Sequence, residues 1–358
     1  MDYNPYLIYI VFFIASLAFS LLINRFLLKF SRNLGIRNTT DTIIRWSSTS
    51  KPSLGGITFY IIFLFSVIII SFLIPAVETF FNLKTLGILL VVTIGFLTGL
   101  FDDAYNTRPW IKFLSQVLCG VILIATGTWI NIFDQLWINY FLTIFWVVGM
   151  MNSINMLDNM DGITTIVSLG VAVTILTGIL LRNDFFNPLI IVDIGLLSAL
   201  LGFLYYNWNP SKMYMGDTGS QFLGALLAVM GVEFFWNGQG FAYESTPLMR
   251  FLSIAVVFAL PIIDTTTVFY KRIARGQSPF VGGKDHTTHH LSYLGLSDQQ
   301  VAIVFSFLSL VSFFMTISMT HFVQEWKIAH HLLFGFYFVV LFGVLFTIGN
   351  LNLRKSYQ

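Results

Sequence analysis

Cysteine is almost absent: Cys119 stands alone in 358 residues, which excludes an intramolecular disulfide framework and any multi-cysteine metal site. Charge is scarce as well. Asp, Glu, Lys and Arg make up 10% of the chain and hydrophobic residues 56%, whereas an average soluble domain is about 25% charged. A water-facing globule of this size cannot bury that much apolar side chain, and disorder is excluded for the same reason. The formal net charge is only +2 and the basic residues form no single run, so a nucleic-acid-binding surface is excluded too. Low-complexity linkers, a soluble domain and internal repeats are also missing. What remains is a polytopic membrane protein.

The apolar residues are gathered into stretches long enough to cross a bilayer as helices, roughly 17–25 residues each. Eleven are expected: 7–28, 55–75, 85–101, 111–128, 137–154, 163–181, 188–206, 220–236, 251–270, 300–320 and 331–350. They lack the alternation of polar and apolar positions that marks a transmembrane β-barrel, so the fold class is all-α. The first stretch does not read as a cleavable signal, because Met1-Asp2 supplies no basic region and the apolar run is too long. Fifteen of the 19 Lys and Arg residues fall in one set of connections; only Lys84, Arg182, Arg250 and Lys327 fall in the other. The positive-inside rule then puts the N-terminus outside and the C-terminus in the cytoplasm. Residues 1–358 read as one transmembrane domain, with loops 30–54, 102–111, 152–162, 207–219 and 271–299 on the cytoplasmic face.

The unusual polar residues lie in those loops. Asp102-Asp103 ends the third span; Asn152-Ser153-Ile154-Asn155-Met156-Leu157-Asp158-Asn159-Met160-Asp161-Gly162 joins the fifth and sixth. Asn207 and Met215-Gly216-Asp217-Thr218-Gly219-Ser220 lie between the seventh and eighth, and Lys284-Asp285-His286-Thr287-Thr288-His289-His290 between the ninth and tenth. Each alone has an ordinary explanation. An Asp-Asp pair at a helix end is often a solvated loop pair; Asp158 and Asp161 share a helix face and could simply punctuate the helix end. Met-Gly-Asp-Thr-Gly reads as a turn before a capped helix, and the histidines could be interfacial. Together the clusters need four coincidences on one face, so one shared site is the better reading. Five carboxylates crowded at apolar helix ends repel one another, which a divalent cation or a set of Lys and His partners resolves. Oxygen-only ligands point to Mg²⁺, or Mn²⁺, rather than zinc. Ser50-Lys51-Pro52-Ser53-Leu54-Gly55-Gly56 opens the second span. Lys51 there could snorkel or bind phosphate, and the glycines could admit a close helix neighbour.

In this order the motifs resemble the polyprenyl-phosphate N-acetylhexosamine-1-phosphate transferases, the membrane enzymes of glycosyltransferase family 4. The resemblance runs from Lys51 to about Leu296. It rests on Ser50-Lys51-Pro52-x-x-Gly55-Gly56, Phe101-Asp102-Asp103 with Lys112-Phe113-Leu114, and Asn152-x-x-Asn155-x-x-Asp158-x-x-Asp161-Gly162. Asn207, Met215-Gly216-Asp217-x-Gly219-Ser220, Pro261-x-x-Asp264, Ser278-Pro279-Phe280 and the histidine cluster complete it. It implies transfer of a sugar-1-phosphate, GlcNAc-1-phosphate first among them, from a UDP-sugar to undecaprenyl phosphate. UMP is released and lipid-linked cell-envelope glycan synthesis, such as O-antigen, begins in the bacterial inner membrane. By resemblance Asp217 and Asn155 hold Mg²⁺ on the diphosphate, and Asp102 and Asp103 deprotonate or orient the lipid phosphate. Asp158 and Asp161 lie near metal and nucleotide, with Asp158 in the catalytic set. Asn207 and Tyr214 meet uridine, the Tyr214 ring stacking on uracil. Lys51 and Lys112 neutralise phosphate charge, and His286, His289 and His290 contact diphosphate or sugar. A homodimer is in keeping with the family.

The histidine loop separates two branches. The branch that uses UDP-MurNAc-pentapeptide, the MraY type, ends in Pro-Phe-His-His-His, whereas this chain reads His286-Thr-Thr-His289-His290 and looks more like the WecA and TagO type. Loop 45–50 lacks the His often found there. An MraY-type transferase and a transporter of lipid-linked sugar are the alternatives. A transporter would place its charges at mid-membrane, while most acids here sit at span ends. Asp264, behind Pro261, is the exception and reads best as a packed, hydrogen-bonded structural residue.

Overall fold

The computed structural model describes residues 5–33, 51–73, 82–185, 187–278 and 283–355. Ser50, loop 45–50 and Pro279-Phe280 of the motifs above lie outside the described residues. Helices dominate, and among the described residues the only β-type pairing is an isolated bridge between Ser53 and Tyr214. That is the expected all-α class, and the reason is the solvent: in hydrocarbon every backbone N–H and C=O must find a partner inside its own segment, which a helix provides.

In chain order the helices are α1 (Pro5–Asn33), α2 (Gly55–Leu73), α3 (Leu83–Tyr105), α4 (Pro109–Ala125), α5 (Leu136–Leu157), α6 (Ile163–Leu181) and α7 (Leu189–Asn207). They continue with α8 (Gly216–Met230), α9 (Pro247–Val257), α10 (Ala259–Ala274), α11 (Thr287–Tyr293), α12 (Asp298–Ile317) and α13 (Ile328–Lys355). α8 and α12 each run on into a π-helical turn, at Gly231–Trp236 and Ser318–Phe322. Among the described residues 9 helical segments are long and apolar enough to span a membrane, or 10 if the bent pair α9–α10 counts as one.

Two of the eleven expected spans therefore look different. The stretch 111–128 is the short helix α4, of 17 residues. The stretch 251–270 is not one rod: α9 and α10 meet at Phe258 with a bend of 79°. Pro261 explains the break. It has no N–H to give to the carbonyl of Val257, and its ring would clash with that carbonyl in a continuous helix, yet it is tolerated in the first turn of a new one.

α8 is the axis of the bundle. Over its most apolar 18 residues the segment Gly216–Trp236 is wholly buried, whereas the matching windows of Tyr6–Ser31 and Ile328–Gly349 are only 17% and 22% buried, so α1 and α13 lie at the rim with apolar faces outward. α8 packs against α2, α3 and α5, and glycines set how close they come. A Cβ on Gly99 of α3 would sit 2.0 Å from the carbonyl oxygen of Asp217; one on Gly56 of α2 would sit 2.1 Å from the amide nitrogen of Gly219. Both are impossible contacts, so the first turn of α8 is gripped between two glycine surfaces. Gly55-Gly56 thus has the packing role open to it in the sequence.

Candidate active site

The first turn of α8 is built from outside. Gly216 takes a left-handed φ of +71°, and a Cβ there would meet Asp103 Oδ2 at 2.5 Å, so only glycine lets the chain enter the helix this close to α3. Asp103 then caps the helix across 114 residues of sequence: its Oδ1 accepts from the Asp217 amide at 3.1 Å, and its Oδ2 accepts from the Thr218 amide at 2.9 Å and the Thr218 hydroxyl at 2.6 Å. A carboxylate on the positive end of a helix is favourable. The resemblance implies a role for Asp103 at the lipid phosphate; in this structure its carboxylate accepts three hydrogen bonds from the first turn of α8, beside Asp217.

Around that turn the expected residues converge. Lys112 of α4 donates to Asp102 Oδ2 at 2.9 Å and to Asp217 Oδ2 at 2.7 Å. Asn155, in the last turn of α5, donates from Nδ2 to Asp217 Oδ1 at 2.7 Å and to Ser220 Oγ at 2.8 Å. Asp102 also accepts from the amide of Thr107 at 2.9 Å and from its hydroxyl. Asp102 and Asp217 thus share one ammonium with Asp103 beside them, and the surplus is negative. Deeper in, Asn152 donates to Gln116 at 2.7 Å and Gln116 to Gln221 at 3.1 Å, a floor of amides beneath the charged layer. Gln116 and Gln221 were not anticipated; their trace in the sequence is a polar side chain inside an apolar stretch.

A second group adjoins the first along the chain, because Tyr214 stands three residues before Asp217. The segment from Lys51 pairs with it: the amides of Gly55 and Gly56 donate to the carbonyls of Tyr214 and Met215 at 3.0 Å each. Lys51 does not snorkel. Its ammonium donates to Ser211 Oγ at 3.0 Å, lies 3.6 Å from Asp161 Oδ2 and sits 5.2 Å from the centre of the Tyr214 ring. Asp161 accepts in addition from Asn209 Nδ2, the Ser211 amide and the Ser211 hydroxyl at 2.8–3.1 Å. Asp158 is half-buried in the turn that ends α5, between Asn155 and Asp161. Asn207 is 3% exposed, and its carboxamide accepts from the Gly162 amide and the Thr165 hydroxyl and donates to the Met213 carbonyl, all at 3.0–3.1 Å. It ties two loops together from inside the protein, in the segment that leads to Tyr214.

The histidines form the third group. His286, His289 and His290 are all buried, and their loop is clamped at three points. Arg272 of α10 makes a two-pronged pair with Asp285, at 3.0 and 2.6 Å. Thr288 donates to Asn159 Oδ1 at 2.5 Å, joining this loop to the Asp158–Asp161 turn. Asp264 accepts from His286 Nδ1 at 2.8 Å. Burial alone would raise the Asp285 carboxyl, but the Arg272 guanidinium outweighs it and holds the group below the usual carboxylate range. Burial lowers His289 to about 3, with the neighbouring His286 adding to the effect, and burial with the Lys271 ammonium lowers His290 to about 4. Both rings are therefore neutral at pH 7. Asp285, Thr288 and Asn159 stand inside motifs visible in the sequence, but their pairing with one another and with Arg272 is set by loop closure.

Whether a divalent cation suits this end of the bundle follows from its donor set. Among the described residues no three His, Cys, Asp or Glu side chains converge as a ready metal cage. Asp217 with Asn155 is instead a one-carboxylate oxygen set, partly open, inside a cluster with surplus negative charge. Mg²⁺ favours that kind of site, completing its shell with water and substrate phosphate.

Comparison with known proteins bears on the whole arrangement. The family model described as glycosyl transferase family 4 matches residues 85–235, which hold Asp102, Lys112, Asn155, Asp161 and Asp217. A probable undecaprenyl-phosphate N-acetylglucosaminyl 1-phosphate transferase of Bacillus subtilis (strain 168) is 30% identical over 255 residues, 67% of this chain and 65% of that protein. A decaprenyl-phosphate N-acetylglucosaminephosphotransferase of Mycolicibacterium smegmatis is 28% identical over 288 residues, 73% of this chain and 70% of that one. A phospho-N-acetylmuramoyl-pentapeptide-transferase of Streptococcus agalactiae is 32% identical over 275 residues, 70% of this chain and 77% of that protein. With an all-helical multi-pass bundle whose acidic, amide and lysine side chains meet at one end, this chain belongs to glycosyl transferase family 4.

Proposed function

We propose that this protein is a sugar-phosphate transferase that moves a sugar-1-phosphate, GlcNAc-1-phosphate in the first place, from a UDP-sugar to undecaprenyl phosphate, releasing UMP. The observation that carries the reading is the convergence of Asp102, Lys112, Asn155 and Asp217 at one end of the bundle. A lipid phosphate held in the bilayer and a soluble nucleotide can meet only at a membrane surface. The excess of Lys and Arg in the connections at this end supports the cytoplasmic surface of the bacterial inner membrane.

The residues divide the work by charge. Both substrates bring phosphates, so their mutual repulsion is the main obstacle to phosphoryl transfer. Lys112 and Lys51 offset it as ammonium groups, each already oriented by a carboxylate, and so little ordering is left for the moment of binding. Asp102, hydrogen-bonded to Lys112 and Thr107, is the carboxylate placed to orient or deprotonate the lipid phosphate. Asp103 keeps the start of α8 in register. Asp217 and Asn155 would hold Mg²⁺, which when bound supplies a positive charge to the diphosphate. Asp161 and Ser211 hold Lys51 beneath Tyr214, whose ring offers a face for the nucleotide base. His286, His289 and His290 close the site against diphosphate or sugar.

A second donor, UDP-MurNAc-pentapeptide, is favoured by the similarity to the Streptococcus agalactiae protein and opposed by the His286-x-x-His289-His290 spacing. One assay separates them. Purified protein is given undecaprenyl phosphate, a panel of UDP-sugars, and Mg²⁺ or a chelator, and UMP release is measured with formation of lipid-linked sugar. Mg²⁺-dependent turnover with UDP-GlcNAc is the expected result. Turnover with UDP-MurNAc-pentapeptide alone would move the protein to the other branch, and no turnover with any donor would overturn the reading.

A further inference from the structure

Asp264 is a buried acidic residue without a task in the proposed transfer. It lies in α10, just past the break at Phe258, and is 1% exposed. A buried carboxylate must be supplied with donors, and here every donor comes from one place. Oδ1 accepts from the Thr287 amide at 2.8 Å and the Thr287 hydroxyl at 2.7 Å, and Oδ2 accepts from His286 Nδ1 at 2.8 Å. The amide and hydroxyl of Thr287 fix the backbone beside the ring, and Oδ2 fixes the ring itself.

The consequence lies on the other edge of the imidazole. A carboxylate at Nδ1 requires the proton there, which leaves Nε2 as the edge that can meet a substrate. His286 Nε2 has no hydrogen-bond partner among the described residues. The Arg272–Asp285 pair holds the loop on one side of this ring, the Thr288–Asn159 bond holds it on the other, and Asn159 stands one turn of chain from Asn155. The ring is thus locked in direction without being consumed. When it carries protons on both nitrogens, Asp264 balances the charge and Nε2–H is a charge-assisted donor.

We propose that Asp264 is the positioning residue for His286, fixing its Nδ1 edge so that the Nε2 edge is presented to the diphosphate-sugar part of the nucleotide-sugar. This rests on the transferase reading above. Asp264 is packed and hydrogen-bonded, as its place behind Pro261 suggested, and what it holds is the ring of a histidine in the loop joined through Thr288 to the Asp158–Asp161 turn.

The test is a double-mutant cycle in the UMP-release assay, with Asp264→Asn, His286→Gln and the pair combined. The side-chain amide introduced by Asp264→Asn would turn an N–H towards Nδ1 and remove the balancing charge. We expect kcat to fall roughly 10- to 100-fold, the order carried by groups that orient a histidine, with a smaller change in KM for the UDP-sugar. The double variant should lose no more than His286→Gln alone, because a residue that acts through another has nothing left to act on. Retention of kcat within about twofold in Asp264→Asn, or losses that multiply in the double variant, would overturn the proposal. Thr287→Val removes one bond to Asp264 but spares the His286 pair; a loss as large as that of Asp264→Asn would assign Asp264 to the loop instead and overturn it as well. Should Asp264→Asn fail to fold, ¹⁵N-histidine spectra of the unsubstituted protein decide, with His286→Gln giving the assignment. The Nδ1 signal should be that of a protonated nitrogen, and the Nε2 signal should move when UDP-GlcNAc is added; no movement sinks the proposal. A wild-type protein that turns over no donor is a different result: the transferase reading falls, and this inference with it.

Discussion

The two ends of the bundle each hold a lysine against a carboxylate, and they use the pair differently. At the end opposite the site Lys84 of α3 meets Glu233, in the π-helical turn after α8, at 2.7 Å, with Glu233 almost wholly enclosed. It is one cation for one anion. At the site end Lys112 is shared by Asp102 and Asp217, Asp103 stands beside them, and Asp217 keeps 29% of its side chain exposed. A balanced pair joins helices, even with Lys84 itself 39% exposed, whereas a cluster with surplus negative charge is incomplete by charge. Neither distance nor exposure identifies a functional ion pair; the surplus charge sets this one apart.

The largest effect that could break this contrast is at Asp217. Asp217→Asn keeps the shape and removes the charge, so turnover should fall at least roughly 100-fold, while the protein keeps its elution volume and melting temperature. UMP release and size-exclusion chromatography check this; activity near wild type would remove Asp217 from the reaction. The neighbouring pair Asp102 and Asp103 should then divide. Asp102→Asn should lower turnover strongly with little change in stability. Asp103→Ala strips the cap from α8 and should cost about 0.5–2 kcal/mol, read as a lower melting temperature, with a smaller loss of activity.

Acid should weaken the site end through its histidines. His289 and His290 are depressed to about 3 and about 4, while an unfolded chain takes up these protons near pH 6.5. Below about 6.5 the unfolded state binds more protons, so stability falls as pH drops from there towards 4. Asp285, also depressed, adds in the same direction at the acid end of that range. Melting temperatures from pH 7.5 to 4.5 measure it; a flat profile would contradict the burial of these rings. Smallest in its effect on turnover is Lys84→Ala. It should leave activity unchanged and, by leaving Glu233 enclosed without its partner, cost about 1–3 kcal/mol of stability. A loss of activity there would erase the distinction between the two ends.

How much of this was legible in the sequence depends on the range of the interaction. Apolar runs are local, so α1, α6 and α7 lie close to where their composition put them. Lys51, Lys112, Asn155, Asp161 and Asp217 could be singled out because loops that alternate across a membrane return every second connection to the same face. The break at Phe258 had its cause in Pro261, yet a mean hydropathy over 251–270 averages across it. Asn207 and Asp103 were visible as residues but not as parts: whether a polar side chain faces a substrate or a helix end is decided by partners 42 and 115 residues away.

Composition with the unbroken, non-alternating apolar runs determined that this chain is a multi-pass helical membrane protein, because a bilayer admits only helices and closed barrels and a barrel would alternate. The order of its motifs pointed to the family. Only the tertiary structure decided which acid caps α8, which shares Lys112, and which holds His286. The first of these follows from how closely helices approach at Gly56, Gly99 and Gly216, and the others from contacts between distant segments that exist only once the helices are packed.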